Sequence, residues 1–172
     1  MITYWRNLPL APGDRISVRV RIPEPPGASD IIGRVLTVTP AAVLLEDRRG
    51  RQTEVRSEQV IAARKVPAIA RGRNPAYADP ARLRELLGVE EAWAARLCDV
   101  VDPAGLLGQR PVLLDGERVA RFGDSRAEVT GEWVLMHLAE AEDFAPLAAW
   151  AVRRDARNVA ADTPIPDPPL TG

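Results

Sequence analysis

The sequence predicts an α+β protein with a small N-terminal β-barrel over residues 1–70 and a mostly helical segment over residues 71–161. Two observations lead to this prediction. Between Gly13 and Val66, short runs of alternating apolar and polar residues are separated by turn residues, which is typical of short strands. Beyond this region, apolar residues recur three and four positions apart, which favours helices. A proline-rich tail, residues 162–172, closes the sequence.

Five strands are predicted in the N-terminal region. In the first, Ile16, Val18 and Val20 alternate with polar residues, so one face is buried while Arg19 and its neighbours face water. Gly33 in the second strand suggests a bulge or a sharp bend. The strands are predicted at 15–22, 31–38, 42–46, 52–56 and 60–65, with one helical turn at 57–59. Five short strands with a single helical turn before the last describe an SH3-like barrel.

Several segments of this region carry a family resemblance. They are Trp5-Arg6-Asn7-Leu8-Pro9, Gly13-Asp14-Arg15-Ile16-Ser17-Val18-Arg19, Asp30-Ile31-Ile32-Gly33, Arg48-Arg49-Gly50 and the run 60–67. Over about residues 5–67 the chain resembles the SH3-like N-terminal domain of actinobacterial GNAT acetyltransferases and related stand-alone actinobacterial proteins of unknown function. The resemblance implies a fold rather than an activity, because these are mostly turn and core residues and the domain is not the catalytic one in those enzymes.

The second half of the chain is predicted to be helical apart from one hairpin. Asp79 is a good N-cap and Gly88 a helix stop, so a helix is expected over 80–87. Asp115-Gly116 lies between two apolar runs, which predicts a β-hairpin over 111–122. Further helices are predicted at 89–100, 131–142 and 144–158.

Composition narrows the class of protein. The 172 residues are 46% hydrophobic and 27% charged, and no apolar run approaches the ~18 residues of a membrane helix. Cys98 is the single cysteine, and the N-terminus does not resemble a signal peptide, so a cytoplasmic protein without membrane contact is expected. Residues 1–70 carry 11 basic and 7 acidic side chains and residues 71–172 carry 12 and 17, so a basic half precedes an acidic one.

Seven residues of the N-terminal region are candidate binding residues. The arginines can contact phosphate, and the two aromatic side chains can form a groove for the extended tail of this chain or of a neighbouring copy. The candidates are Tyr4, Trp5, Arg19, Arg21, Arg48, Arg49 and Arg51. We expect a non-catalytic protein-binding, adaptor or structural protein that takes a protein partner or associates with itself. Nucleic-acid binding through the barrel arginines is an alternative, although the strands lack aromatic residues for base stacking.

No catalytic, cofactor-binding or metal-binding residues are predicted. The run Ala148-Ala149-Trp150-Ala151-Val152-Arg153-Arg154 resembles a helix of GNAT enzymes, so a degenerate or unusual GNAT-type N-acetyltransferase is a further alternative. Those enzymes hold the acyl-CoA pyrophosphate with an Arg/Gln-x-x-Gly-x-Gly/Ala loop, and Arg118–Gly123 has the wrong spacing for it. His137 is the single histidine, too few for a histidine metal site.

Overall fold

The computed structural model describes residues 1–23 and 27–166. The chain divides into two compact units, Met1–Ala68 and Ile69–Gly172. Each unit has a hydrophobic core of its own. Of the helices formed within the described ranges, none combines the length and the apolar composition needed to traverse a lipid bilayer.

The first unit consists of strands and one helical turn. Its strands are β1 (Thr3–Trp5), β2 (Leu8–Leu10), β3 (Arg15–Arg21), β4 (Ala28–Val38), β5 (Ala42–Glu46), β6 (Gln52–Arg56) and β7 (Val60–Val66). The single turn, a 3₁₀ helix at Ser57–Gln59, lies between the last two strands. The five predicted strands and the helical turn are therefore confirmed, and a β1–β2 hairpin that was not predicted precedes them.

The strands β3 to β7 form one antiparallel sheet in the order β6-β5-β4-β3-β7. This order leaves β6 and β7 at opposite ends. Among the described residues of this unit no pairing joins those two strands. The small β fold is thus confirmed, while closure of the sheet into a barrel is not.

Gly33 has a different role from the predicted bend. The register between β4 and β5 shifts between Val35 and Thr37, so the irregularity lies beyond the glycine. A Cβ atom on Gly33 would lie 3.0 Å from the Cβ of Leu45 and 3.1 Å from the carbonyl oxygen of Glu46. Gly33 therefore allows β4 and β5 to approach closely.

The second unit is built around a six-stranded mixed sheet. Its helices are α1 (Pro80–Leu87), α2 (Leu97–Val100) and α3 (Phe144–Arg153), and its strands are β8 (Trp93–Arg96), β9 (Leu113–Leu114), β10 (Val119–Phe122), β11 (Ser125–Thr130), β12 (Trp133–His137) and β13 (Asn158–Ala161). The sheet order is β8-β13-β12-β11-β10-β9. All neighbours are antiparallel except β12 and β13, which are parallel and are connected through α3.

The prediction of a mostly helical second half was therefore wrong, and strands do not fall largely before residue 70. The predicted helix 131–142 contains β12, and the predicted helix 89–100 contains β8 followed by the single turn α2. The last helix ends at Arg153 instead of Asn158, and Asn158 begins β13.

The error at β12 has a physical cause. Val134 and Met136 pack into the core that includes Leu147 of α3, while Leu135 packs on the other face against Leu83 and Leu87 of α1. A strand buried on both faces is a continuous apolar run without alternation. Such a run resembles a buried helix in sequence.

Helix α1 and the hairpin are confirmed. The Asp79 carboxylate accepts the backbone N–H of Ala81, and Gly88 ends α1 at a φ of 68°. In the hairpin, β9 and β10 pair antiparallel with Leu114 opposite Ala120.

Candidate functional site

One end of the first sheet is a basic strand edge. Strand β7 is hydrogen-bonded to β3 on one side and ends the sheet on the other. Arg6 donates from its guanidinium to the carbonyl oxygen of Val60, the first residue of β7. Strands β3 and β7 carry five cations, Arg15, Arg19, Arg21, Arg64 and Lys65. We call the last four of these, together with the outer side of β7, the basic edge.

The cations of the basic edge are only partly neutralised. Arg19 lies 3.8 Å from the Asp30 carboxylate, an exposed pair, and Lys65 lies 3.2 Å from the Asp14 carboxylate. Within residues 1–23 and 27–166, neither Arg21 nor Arg64 has a carboxylate partner. The basic edge therefore attracts anionic groups.

The predicted binding arginines do not form one surface. Arg19 and Arg21 belong to the basic edge, whereas Arg48, Arg49 and Arg51 lie in the turn between β5 and β6. That turn follows Glu46 of β5, which lies opposite Arg34 in the register of β5 and β4. Arg34 in turn lies opposite Arg15, the residue at the far end of β3. The two groups are thus separated by the length of β3, about 20 Å for its seven residues.

The predicted aromatic groove is not formed by Tyr4 and Trp5 together. Tyr4 is 67% exposed, but Trp5 is fully buried in the core of the first unit. Successive side chains of a strand point to opposite faces, so the two rings of β1 face opposite ways. The prediction of Trp5 as an exposed binding residue is therefore wrong.

The predicted tail begins inside the second unit. The Asp162 carboxylate accepts the backbone N–H of Leu138 at 2.9 Å and lies 3.2 Å from Nδ1 of His137. Ile165 packs against the core of this unit. The remainder of the predicted tail, residues 167–172, and the loop residues 24–26 lie outside the described residues.

His137 and Cys98 each lie beside one carboxylate, that of Asp162 and that of Asp99. The described part of the chain contains no cluster of three or more potential metal ligands. Burial raises the pKa of the Cys98 thiol above its usual 9.0, and the Asp99 charge raises it further. The raised pKa favours the protonated thiol of Cys98 at neutral pH.

Two adjoining cavities lie along α3 in the second unit. The first, of about 310 Å³, is bounded by the first half of α3 and by residues between 100 and 109. The second, of about 240 Å³, is bounded by the second half of α3 and by residues between 106 and 114. Gln109 and Ala149 line both cavities. We call the two together the α3 groove.

The ends of the α3 groove carry opposite charges. Asp102 and Glu142 line the first cavity, and Arg110, Arg153 and Arg154 line the second. The sequence analysis did not predict this groove. The signal was present as three acidic residues (Glu140, Glu142, Asp143) before the apolar run 144–152 and two arginines after it.

The acidic end is held by hydrogen bonds. One carboxylate oxygen of Asp102 accepts the N–H of Ala104 at 3.0 Å and caps the turn Pro103–Gly105. Next to Glu142, the buried Asp143 accepts the hydroxyl of buried Ser125 at 2.7 Å. These bonds fix the backbone on both walls.

Comparison with known proteins identifies the first unit. Residues 10–64 match the family described as the Rv0428c N-terminal Sm-like domain. This part of the chain is thus an Sm-like domain, a small β fold, which agrees with the observed strands. No curated protein and no solved structure matches the chain.

Proposed function

We propose that this protein is a non-catalytic binding protein whose Sm-like domain takes an acidic, extended segment of a protein partner along the basic edge. The observation that carries the proposal is that, within residues 1–23 and 27–166, β7 pairs with a neighbouring strand on one side only and is flanked by cations. We expect the interaction to take place in the cytoplasm, since the single Cys98 leaves no internal disulfide.

Strand addition supplies the physical basis. An edge strand offers unpaired backbone N–H and C=O groups, and an extended peptide that joins the sheet satisfies them. The six residues of β7 that follow Val60 are all exposed or half-exposed, so side chains of a partner strand have room beside it. Arg21 and Arg64 then give preference to a segment with carboxylates.

The test uses a labelled peptide and charge-reversal variants. The probe is a six-residue peptide of alternating aspartate and valine, and binding is followed by fluorescence polarisation. We expect Arg19→Glu/Arg64→Glu to weaken binding at least about tenfold, because attraction becomes repulsion. The matched control is Arg48→Glu/Arg49→Glu, which makes the same charge change in the turn between β5 and β6, on the side of the sheet away from β7, and is expected to leave binding within about twofold.

Hydrogen exchange locates the peptide. Backbone amides of β7 should gain protection in the complex, because an added strand accepts their N–H groups. Equal weakening by both double variants, or protection confined to other strands, would show that the peptide senses only overall charge.

Nucleic-acid binding is the second candidate, and the unpaired charges of Arg21 and Arg64 favour it. A protein that neutralises several phosphates loses affinity steeply as salt rises. Titration of duplex DNA at two salt concentrations separates the candidates. Tight DNA binding with a steep salt dependence, and weak binding of the acidic peptide, would favour nucleic acid.

Acetyl transfer in the manner of GNAT enzymes is the third candidate. The parallel strands β12 and β13 joined by α3 favour it, since a helix that follows a strand can hold a phosphate group at its N-terminus. The acidic residues Glu140, Glu142 and Asp143 before α3 oppose a pyrophosphate there. Calorimetric titration with acetyl-CoA tests this candidate. Binding with a micromolar or lower dissociation constant would favour acetyl transfer over the proposed binding function.

A further inference from the structure

The first cavity of the α3 groove is a recess with largely apolar walls. Val100 and Val101 contribute to its lining on one side, and the first half of α3 contributes on the other. Phe144 is 4% exposed and belongs to the core of the second unit, so its place in the wall is fixed by packing. Ala145 and Ala149 have small side chains, which leave the space that a bulkier residue would fill. An occupant of this cavity therefore needs an apolar body.

Both charged residues in the described lining of this cavity are acidic. They are Asp102, from the segment between α2 and β9, and Glu142, which comes just before α3. Oδ1 of Asp102 accepts the backbone N–H of Ala104, and Oδ2 has no donor among the described residues. Glu142 forms neither an ion pair nor a side-chain hydrogen bond within residues 1–23 and 27–166. Neither carboxylate is thus neutralised by a cation of the described chain.

These two carboxylates determine the sign of charge that the cavity accepts. A recess with apolar walls and charges of one sign concentrates the electric field and attracts ions of the opposite sign. The dipole of α3 favours negative charge at the start of the helix, and Glu142 and Asp143 already supply it there. An anion in the cavity would be repelled by both lining carboxylates, whereas a cation would be attracted by both.

The volume of the cavity limits the size of the cation. A water molecule occupies about 30 Å³ in the liquid, so the 310 Å³ of this cavity holds roughly ten groups of that size. This volume lies at the lower end of the range for small-ligand pockets. The described residues contain no group of three or more potential metal ligands, which disfavours a metal ion. A bare ion would also leave the apolar walls in contact with water, whereas an organic cation covers them.

We propose that the first cavity binds a small organic cation, a protonated amine on an apolar body, with about ten non-hydrogen atoms in all. The ammonium group lies toward Asp102 and Glu142 and donates hydrogen bonds to their oxygens, and the apolar body lies against Phe144 and Ala149. This site lies within the second unit and shares no residue with the basic edge. It goes beyond the proposed function, and either can fail without the other.

Four compounds titrated into the full chain by calorimetry test the class of ligand. Phenylpropylamine joins an ammonium group to an apolar body, phenylpropanol has the same body without charge, and phenylpropanoate has it with a negative charge. Nα-acetyl-lysine amide carries the ammonium group as a lysine residue of a protein presents it. We expect phenylpropylamine to bind at least about tenfold tighter than each of the other three, because it alone combines the charge with an apolar body of this size.

Neutral variants assign the binding to the two carboxylates. Glu142→Gln and Asp102→Asn each remove one charge and keep the size of the side chain, and an asparagine oxygen can still accept the N–H of Ala104. We expect each variant to weaken the binding of phenylpropylamine at least about threefold and to leave that of phenylpropanol unchanged. The matched control is Glu140→Gln, an exposed position outside the described lining, which should keep the affinity for the amine within about twofold.

A larger side chain at position 145 tests where the apolar body lies. Ala145 lines the cavity but is exposed, so Ala145→Leu fills part of the cavity without a change in the core. We expect this variant to bind phenylpropylamine at least about tenfold more weakly. Because leucine is a good helix former, the thermal midpoint should be retained.

Four results would overturn the proposal. They are equal binding of phenylpropylamine and phenylpropanol, no saturable binding of phenylpropylamine, its unchanged affinity in both neutral variants, and its unchanged affinity in Ala145→Leu. Equal or tighter binding of Nα-acetyl-lysine amide would also overturn it, and would assign the cavity to a lysine side chain of a protein partner instead.

Discussion

At the scale of the residue, single carboxylates fix connections between strands. Asp47 accepts the backbone N–H groups of Arg49 and Arg51 at 2.8 and 3.0 Å and the guanidinium of Arg51 at 3.1 Å. Burial by itself raises the pKa of Asp47, but the bonds from Arg51 and Arg49 together lower it below its usual 3.8. The charged form is therefore favoured by folding.

Replacement of Asp47 separates charge from hydrogen bonding. Asp47→Ala should lower the free energy of unfolding by about 1 kcal/mol at pH 7 through loss of the acceptor, and Asp47→Asn by less. Because the folded pKa is depressed, the contribution of the charge is present above the unfolded value of 3.8 and is lost as pH falls through the lower folded value. Urea unfolding should thus give a difference between native protein and Asp47→Asn at pH 7 that disappears below that range.

Ser125 is a second such position. Its buried hydroxyl donates to Asp143 and accepts the N–H of Ala139, both at 2.7 Å. Ser125→Ala should cost about 2 kcal/mol, because a buried carboxylate loses a donor. Ser29→Ala in β4, an exposed position, is the control and should change the free energy of unfolding little. Equal costs for both variants would show that the Ser125 bonds contribute nothing measurable.

At the scale of the element, the sequence predicts those strands and helices whose type and bounds are determined by residues close together in the chain. In β3, apolar and polar residues alternate because one face of the strand is buried. In α1, the capping residues Asp79 and Gly88 are of the types that commonly begin and end helices. Strand β12 has no alternation of apolar and polar residues, because α1 packs on one of its faces and α3 on the other and both faces are therefore apolar. The misassignment of β12 therefore follows from its being covered on both faces.

The end of α1 allows a test of backbone conformation alone. Gly88 has a φ of 68°, and a Cβ atom there would contact nothing within 4 Å. Gly88→Ala should therefore cost about 1 kcal/mol from the left-handed conformation alone. Gly108→Ala is the control, since Gly108 also has open space but no positive φ. Thermal unfolding of both variants should show a lower midpoint for the first only.

At the scale of the whole molecule, the two units have separate hydrophobic cores. The sequence predicted the bounds of the first unit more accurately than it predicted either candidate binding surface. The α3 groove was not predicted because Asp102 and Glu142 are far apart in sequence and line the same cavity only in the folded second unit. The basic edge was found in part, since Arg19 and Arg21 share one strand. A surface made by one strand can be predicted, whereas one made by distant segments requires the fold.

The separate cores predict that residues 1–68 fold alone. This segment contains a complete core that includes Trp5, Leu10 and Leu45. Expressed by itself, it should show the circular dichroism of a β protein and a cooperative thermal transition. A spectrum of an unfolded chain would contradict the prediction. A Trp5→Ala variant of the segment should lose the transition, because a buried tryptophan contributes about 3–5 kcal/mol.

The position of β13 has a consequence for synthesis on the ribosome. β13 is the last strand among the described residues, yet it lies between β8 and β12 inside the sheet. Until residue 161 has emerged from the exit tunnel, β8 and β12 have no neighbour on that side, and their unpaired edges are open to aggregation. The first unit also contains a long-range pairing, Arg15 with Val66, but its strands are all present once residue 68 has emerged. The second unit waits for Asn158 to pair with Arg96. A nascent chain that stalls before Asn158 is therefore a natural substrate for chaperones.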